Sequence, residues 1–410
     1  MTTLADAEAR DASDPLARFR DAFVRPAGPF SGGLIYLDGN SLGMLPHASV
    51  AANADMVARQ WGDRLIRSWN EGWIDAPERV GAKIAPLIGA DAQEVIAADS
   101  TSVNLFKLIV AALRRDASRT VVVSEAGNFP TDLHIAEGAV GCVPGASLRV
   151  VARGELASAL GDDTALLLLT HVHYKTGARF DMAAWTARAQ AAGALMLWDL
   201  SHSAGAVAVD LNGSNADLAV GCGYKYLNGG PGAPAFLFVA GRWHDTLANP
   251  LSGWMGHAAP FGFADAYAPA AGMKRWLTGT PPMLGLGSLE AALTLWDGVD
   301  MALVEAKSAA LFGILLAAGE AAGLECVTPR DAAARGSHIS FRTPHAHAIT
   351  QALIARGVIG DFRDPDILRL GLTPLTLSHV DGWQAGRVLG EVIASGEWQR
   401  PEYAVRAAVT

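Results

Sequence analysis

The sequence predicts an α/β protein with a large domain, built on a mostly parallel sheet covered by helices, and a smaller α+β domain. Three observations predict it. Short runs of consecutive apolar, β-prone residues recur through the middle of the chain, and stretches with helical spacing lie between them. After about residue 287 the apolar runs shorten and helices dominate.

Taken in order, residues 121–124 (VVVS), 165–170 (ALLLLT), 194–199 (ALMLWD), Leu218–Gly221 and 235–239 (AFLFV) are continuously apolar, as strands buried on both faces require, and a short run at 95–98 precedes a helix start. Residues 182–192 carry a helical pattern between two of them. The Gly/Pro-rich stretch 227–234 and the loop-like span 249–286 close this region. Ser288 then stands as the expected cap of one long helix through Leu289, Leu293 and Trp296 towards Leu316. Residues 337–342 and 367–372 read as short strands, and Ser378 opens the last helix with an S-x-x-D pattern closed by Asp381. The expected units are 1–50, an N-terminal segment associated with the small domain; 51–287, the large domain; and 288–410, the connecting helix and small domain.

Composition limits the function. The chain has 410 residues, half of them apolar, and a net charge of −9. An acidic surface excludes nucleic acid or an anionic membrane as main partner. Lys107 interrupts the apolar run 103–113, well short of the roughly 20 residues a span needs, so no membrane span is expected. The first residues are acidic and lack the basic-then-apolar order of a secretory signal, and none of the three cysteines lies in a CxxC pair. A reducing, cytoplasmic setting is expected. No repeat suggests a solenoid or propeller.

The most informative segment is WDLSHSAG…GYKYLNGGPG, residues 198–232. Asp199 is expected to end one buried strand, with His202 three residues on, and Lys225 to end another and enter a glycine-rich loop. In an open parallel sheet the carboxyl ends of strands border the ligand crevice, so both residues face it. Burial makes an ammonium give up its proton, and a free amine is what a Schiff base with an aldehyde requires. A carboxylate across from such a lysine suits pyridoxal phosphate, because it keeps the pyridine nitrogen protonated. Ser100, Thr101 and Ser102 open a helix after residues 95–98, a ready anion site for the phosphate. Phe129 could offer an aromatic face to a planar ring, with Asp132 close by.

DGNSLG (38–43), DSTSVNLFK (99–107), NFPTD (128–132), HVHYKTG (171–177), WDLSHSAG (198–205), GYKYLNGGPG (223–232) and GWMGH (253–257) together resemble the kynureninase family, over nearly the whole chain from Tyr36 onward. The resemblance implies the aspartate aminotransferase-like fold of type I pyridoxal phosphate enzymes, with a seven-stranded sheet. It also implies hydrolytic cleavage of the Cβ–Cγ bond of L-kynurenine to anthranilate and L-alanine, a step of tryptophan catabolism. Lys225 then matches the lysine bonded to the cofactor, Asp199 the partner of the ring nitrogen with His202 beside it, and Phe129 the residue stacked on the ring. Asp132, Thr101, Ser102 and Thr176 match further cofactor contacts, and Tyr224 a tyrosine that touches the phosphate and assists proton transfer. Trp254 and Thr280 match residues reaching the neighbouring subunit's cofactor, which implies a homodimer with shared sites. Arg369 matches the arginine on the substrate α-carboxylate, and Asn40, Ser41 and Trp73 are expected at the substrate.

Two departures bear on substrate choice. Thr280 stands where animal relatives carry asparagine, and the stretch SWNEGW (68–73) lacks their histidine, which favours plain kynurenine over its 3-hydroxy form. His173 stands where asparagine is expected.

Rival readings attach to particular residues. A cysteine desulfurase needs a nucleophilic cysteine on a mobile loop, whereas Cys142, Cys222 and Cys326 lie in or beside apolar, strand-like sequence, where a buried thiol is expected. A metal-dependent hydrolase could use His171 and His173, or His345 and His347, each pair two residues apart, but nothing nearby supplies further ligands. A non-catalytic module of this fold predicts loss of Lys225 or Asp199, and both are present.

Overall fold

The computed structural model describes residues 2–406, so Met1 and residues 407–410 of the expected C-terminal unit lie outside the described residues. The short β1 (Ile35–Tyr36) stands apart from the main sheet. That sheet has seven strands: β2 (Val95–Ala97), β3 (Val121–Glu125), β4 (Ser147–Val151), β5 (Thr164–Thr170), β6 (Leu195–Asp199), β7 (Leu218–Gly221) and β8 (Phe236–Val239). They lie in the order β2-β8-β7-β6-β5-β3-β4, and only β8 runs against the rest. The expected α/β class and mostly parallel sheet are both present.

Alternation explains why these strands are continuously apolar. Val121, Val123, Leu167, Leu169, Met196 and Trp198 point into one core, while Val122, Leu166, Leu168, Leu195 and Leu197 point into another on the opposite face. Helix Ala76–Ile84 supplies Val80 and Ile84 to the first, and helix Thr101–Arg115 supplies Leu105 and Leu108 to the second. β4 did not announce itself in the sequence. It is an edge strand carrying the half-exposed Arg149, so its apolar run is broken.

The long helix expected from Ser288 is two helices. The first, Met283–Leu293, already encloses Ser288, whose carbonyl accepts the Ser49 hydroxyl at 2.9 Å. The chain turns at Gly298, held at a left-handed φ of 75°, and restarts as Met301–Ala321 under the cap of Asp300, whose carboxylate accepts the Ala302 N–H at 2.8 Å. The signal was D-G-V-D at 297–300, a turn followed by a cap. Among the described residues it is this second helix, not the run around Lys107, that is long and apolar enough to cross a membrane by length and composition. It is instead a core helix, with Leu311, Phe312 and Leu315 buried, and Lys307 pairing with Asp14 at 2.6 Å.

β9 (Glu325–Cys326), β10 (His338–Arg342), β12 (Asp361–Arg363) and β13 (Ile367–Gly371) form an antiparallel sheet in the order β12-β13-β10-β9, while β11 (Val358–Ile359) pairs in parallel with β1. The final helix, His379–Ser395, opens with the S-x-x-D box: Ser378 accepts the Asp381 N–H at 2.9 Å, and Asp381 accepts the Ser378 N–H at 2.8 Å. The N-terminal segment serves both cores, with Leu16 and Phe23 against the large sheet and Ile35 and Leu37 in the small lobe.

Candidate active site

The crevice opens at the carboxyl ends of β5, β6 and β7. Thr170 and Asp199 are register partners at the ends of β5 and β6, and Lys225 lies in the loop after β7. That loop is folded tightly: Asn228 donates its N–H to the Lys225 carbonyl at 2.9 Å and takes a left-handed φ of 58°. The DGNSLG turn lies directly on it. Gly43 donates its N–H to the Tyr224 carbonyl at 2.8 Å, and a Cβ on Gly43 would stand 2.2 Å from the Lys225 carbonyl oxygen. Only glycine fits so close a backbone approach.

Lys225 Nζ lies 3.0 Å from His202 Nε2 and 5.8 Å from the ring centres of both Phe129 and Tyr224. The two nitrogens share one hydrogen bond. Burial, then the charge of Lys225, holds the His202 pKa well below its ordinary value. Burial likewise raises the pKa of the Tyr224 phenol.

Asp199 is buried and accepts from the Ser201 N–H at 2.8 Å and the Ser201 hydroxyl at 2.6 Å. Asp132 is buried too; its Oδ2 lies 3.1 Å from the Thr170 hydroxyl, and no donor reaches its Oδ1. The neighbour there is the carboxyl of Asp199. Two carboxyl groups attract only if one holds a proton, and burial followed by the Asp199 charge raises the Asp132 pKa far above the carboxylate range. Burial raises that of Asp199 as well, against the pull of Ser201 and Lys225.

Thr101 and Ser102 form the first turn of helix Thr101–Arg115, where backbone N–H groups have no partner within the helix, and Ser100 caps it by accepting the Val103 N–H at 3.3 Å. Phe129 caps the helix Pro130–Gly141 and meets Tyr174 edge to face at 5.2 Å. Thr176 is joined to His173, whose Nδ1 accepts the Thr176 N–H at 3.2 Å while its Nε2 donates to the Gly127 carbonyl at 2.9 Å.

Arg369, only 1% exposed, projects from β13 into a fixed polar cluster. Its Nε donates to Asp361 Oδ1 at 2.8 Å, its Nη2 to Asp361 Oδ2 and to the Ser41 hydroxyl at 2.8 Å, and its Nη1 to the Tyr174 carbonyl at 2.6 Å. Asn40 is fully buried beside Gly371 with neither amide atom partnered, a polar group open to a ligand. Trp73 is further out, its Nε1 donating to Gln60 Oε1 at 2.7 Å. Trp254, 40% exposed, packs on Phe261, and Thr280 is also exposed, so neither joins the buried pocket of this protomer.

The donor set fits pyridoxal phosphate. It combines a lysine amine, an aromatic face, a buried carboxyl pair that lacks a donor at Asp132 Oδ1, and an uncovered helix N-terminus with two hydroxyls. Sequence reasoning missed Asp361, Arg363, Tyr174, Asn128 and His338 around this pocket. Asp361 had a signal: the turn D-P-D at 364–366 sets up a hairpin in which Asp361 faces Arg369 across the strands.

The rival sites do not form. His171 Nδ1 is 2.9 Å from the Ser203 hydroxyl, whereas His173 uses both nitrogens on the 127 and 176 loops, so the two rings do not converge. His345 stacks on Trp398 and His347 meets Phe362 edge to face. Among the thiols only Cys222 is buried, where desolvation raises its pKa and keeps it protonated. Cys142, expected in a buried run, is exposed at the end of helix Pro130–Gly141, about 20 Å along the axis from Phe129.

Comparison with known proteins agrees with this geometry. A family model described as the kynureninase C-terminal domain matches residues 304–389. A kynureninase of Burkholderia mallei is 49% identical over the full length of both chains, and one of Pseudomonas fluorescens is 48% identical over the same span. Among solved structures, a cysteine desulfurase from Thermococcus onnurineus superposes with a TM-score of 0.74, covering 88% of this chain and 95% of that one. One from Escherichia coli also gives 0.74, covering 93% and 98%. At 17% and 18% identity these two show the shared fold alone. Near-half identity across every residue of both chains is a different order of likeness, and by it this chain belongs to the kynureninase family.

Proposed function

We propose that the chain is a pyridoxal phosphate-dependent hydrolase that splits the Cβ–Cγ bond of L-kynurenine, giving anthranilate and L-alanine. The observation that carries this is the buried meeting of Lys225, His202 and the Asp132–Asp199 pair in a member of the kynureninase family. The bound cofactor supplies an electron sink for negative charge developing at the substrate carbon.

This chain's residues do the rest. Lys225 Nζ is the covalent attachment point and, when free, the base at the substrate α-carbon, with His202 Nε2 fixing its position. Asp199 and Asp132, sharing one proton, offer negative charge to a ring N–H. Thr101 and Ser102 hold the phosphate at the helix N-terminus, and Phe129 covers the ring. Thr176, held by His173, and Tyr224 complete the cofactor contacts, with the Tyr224 phenol kept protonated and able to give a proton. Arg369 takes the α-carboxylate, with Asn40 and Ser41 beside it.

The partner is a second copy of this chain. Leu45, Trp61, Leu65, Ile66, Trp254, Phe261 and Phe263 are all exposed, an apolar set that a homodimer would cover, and Trp254 and Thr280 would then reach the other protomer's pocket. Thr280, and the lack of a histidine in the stretch 68–73, favour plain kynurenine over its 3-hydroxy form. The chain works in the cytoplasm, in keeping with three cysteines that form no disulfide among the described residues.

The test is release of anthranilate from L-kynurenine by the cofactor-loaded protein. Release that vanishes in Lys225→Ala supports the function; a Lys225→Ala protein of ordinary activity overturns it.

A further inference from the structure

The cluster around Arg369 holds more charge than one guanidinium. Asp361 is buried and bonded through both oxygens to Arg369. Arg363 donates from Nη2 to Asp361 Oδ2 at 2.6 Å and to the Ser41 hydroxyl at 3.0 Å, and Ser41 in turn donates to Asp361 at 2.9 Å. Asp38, first residue of the DGNSLG turn, completes the group: its Oδ1 is buried with no hydrogen-bond partner, and its carboxyl lies against the carboxyl of Asp361 and the hydroxyl of Ser41. The phenols of Tyr36 and Tyr226 also face these carboxyls, and both stay neutral because burial raises their pKa values.

We propose that Asp38 carries a proton shared with Asp361, and that losing it as the pH rises weakens the hold of Arg369 on the substrate carboxylate. This rests on the proposed role of Arg369. A buried carboxyl with one oxygen unpartnered, beside an ionised carboxylate, must keep a proton or repel it, and the Ser41 hydroxyl only partly offsets this. For Asp361 burial acts upwards, but the charge and hydrogen bonds of Arg369, then Arg363, win and hold it below the ordinary range. For Asp38 burial and then the Asp361 charge outweigh the Ser41 hydrogen bond and the charge of Arg369, and push it up to about 7. Below that pH one carboxylate faces two guanidinium groups and the pocket is cationic; above it the charges cancel. Asp38 thereby acts as a positioning residue that sets the charge offered to an incoming carboxylate.

The test is KM for L-kynurenine on the cofactor-loaded enzyme across neutrality, in wild type, Asp38→Asn, Asp361→Asn and Arg369→Gln. Wild-type KM should rise about tenfold from about pH 6 to about pH 9, a factor set by one nearby charge. In Asp38→Asn that limb should vanish, while limbs from the substrate amine or Lys225 persist in both proteins and cancel in the comparison. In Asp361→Asn the limb should move towards the ordinary carboxyl range, which keeps the proposal testable if Asp38→Asn fails to fold. An unchanged KM limb in Asp38→Asn overturns the proposal, as does an unshifted one in Asp361→Asn. Arg369→Gln should raise KM at least tenfold at every pH; if it does not, the role of Arg369 itself is wrong, a different failure.

Discussion

Lys225 Nζ and His202 Nε2 stand 3.0 Å apart, the lysine half-buried and the imidazole buried and held neutral. A neutral ring holds the lysine in place without adding charge near it; its Nδ1 is unpartnered, and the ring meets that of His338 edge to face at 5.9 Å between centres. His202→Leu removes that ring. It should lower kcat by about tenfold to a hundredfold with a smaller change in KM, the range for losing one positioned group in proton transfer. Steady-state kinetics across pH check this; equal effects on kcat and on thermal stability would mean the residue only fills space.

The Asp132–Asp199 pair makes a statement about stability. Folded Asp132 has a raised pKa, so the stability it lends is present below the unfolded carboxyl pKa and is lost as pH rises through the folded value. Asp132→Asn supplies a neutral group of the same size. Without cofactor, the variant should gain stability relative to wild type between about pH 6 and pH 8. Thermal midpoints at the two pH values measure it, and cofactor affinity should fall in parallel.

His171 titrates in the opposite sense. Burial first, then the charge of Arg179, lowers its pKa to about 3, so the folded ring stays neutral while the unfolded one takes a proton below its ordinary value of 6.5. The unfolded state then binds more protons, and stability falls as pH drops from 6.5 towards 3. The stability advantage of wild type over His171→Gln should shrink by about 1.4 kcal/mol per pH unit in that window. Urea unfolding of the pair at two acidic pH values reads this directly.

Gly43 fixes the distance between the DGNSLG turn and the lysine loop. An added Cβ would meet the Lys225 carbonyl at 2.2 Å and Asn228 Nδ2 at 2.6 Å, so Gly43→Ala must push the two loops apart. The expected cost is about 1–3 kcal/mol of stability, with activity lost well before the fold. Denaturation and turnover measured on the same preparation separate the two.

The proposed homodimer with shared sites predicts complementation. Lys225→Ala and Trp254→Ala homodimers should each be nearly inactive, but a mixture exchanged into heterodimers should regain activity, because one of the two pockets then carries both native residues. No recovery after verified exchange would mean that each protomer works alone.

How much was legible follows from the physics of each element. β3, β5, β6 and β7 could be read because both faces are buried and every position must be apolar, and Asp199 and Lys225 stood out as charges ending such runs. β4 escaped because an edge strand alternates polar and apolar residues. The break at Gly298 escaped because both flanking helices are alanine- and leucine-rich and continue one pattern through the turn. Asp361 escaped because its role depends on hairpin register, and Cys142 was misplaced because a helix end in apolar sequence looks like a strand.

The most direct test is borohydride reduction of the protein loaded with pyridoxal phosphate, followed by peptide mass spectrometry. The expected result is a single reduced adduct on the peptide bearing Lys225. An adduct on another lysine, such as Lys175 or Lys107, or none at all, would contradict the assignment of this pocket.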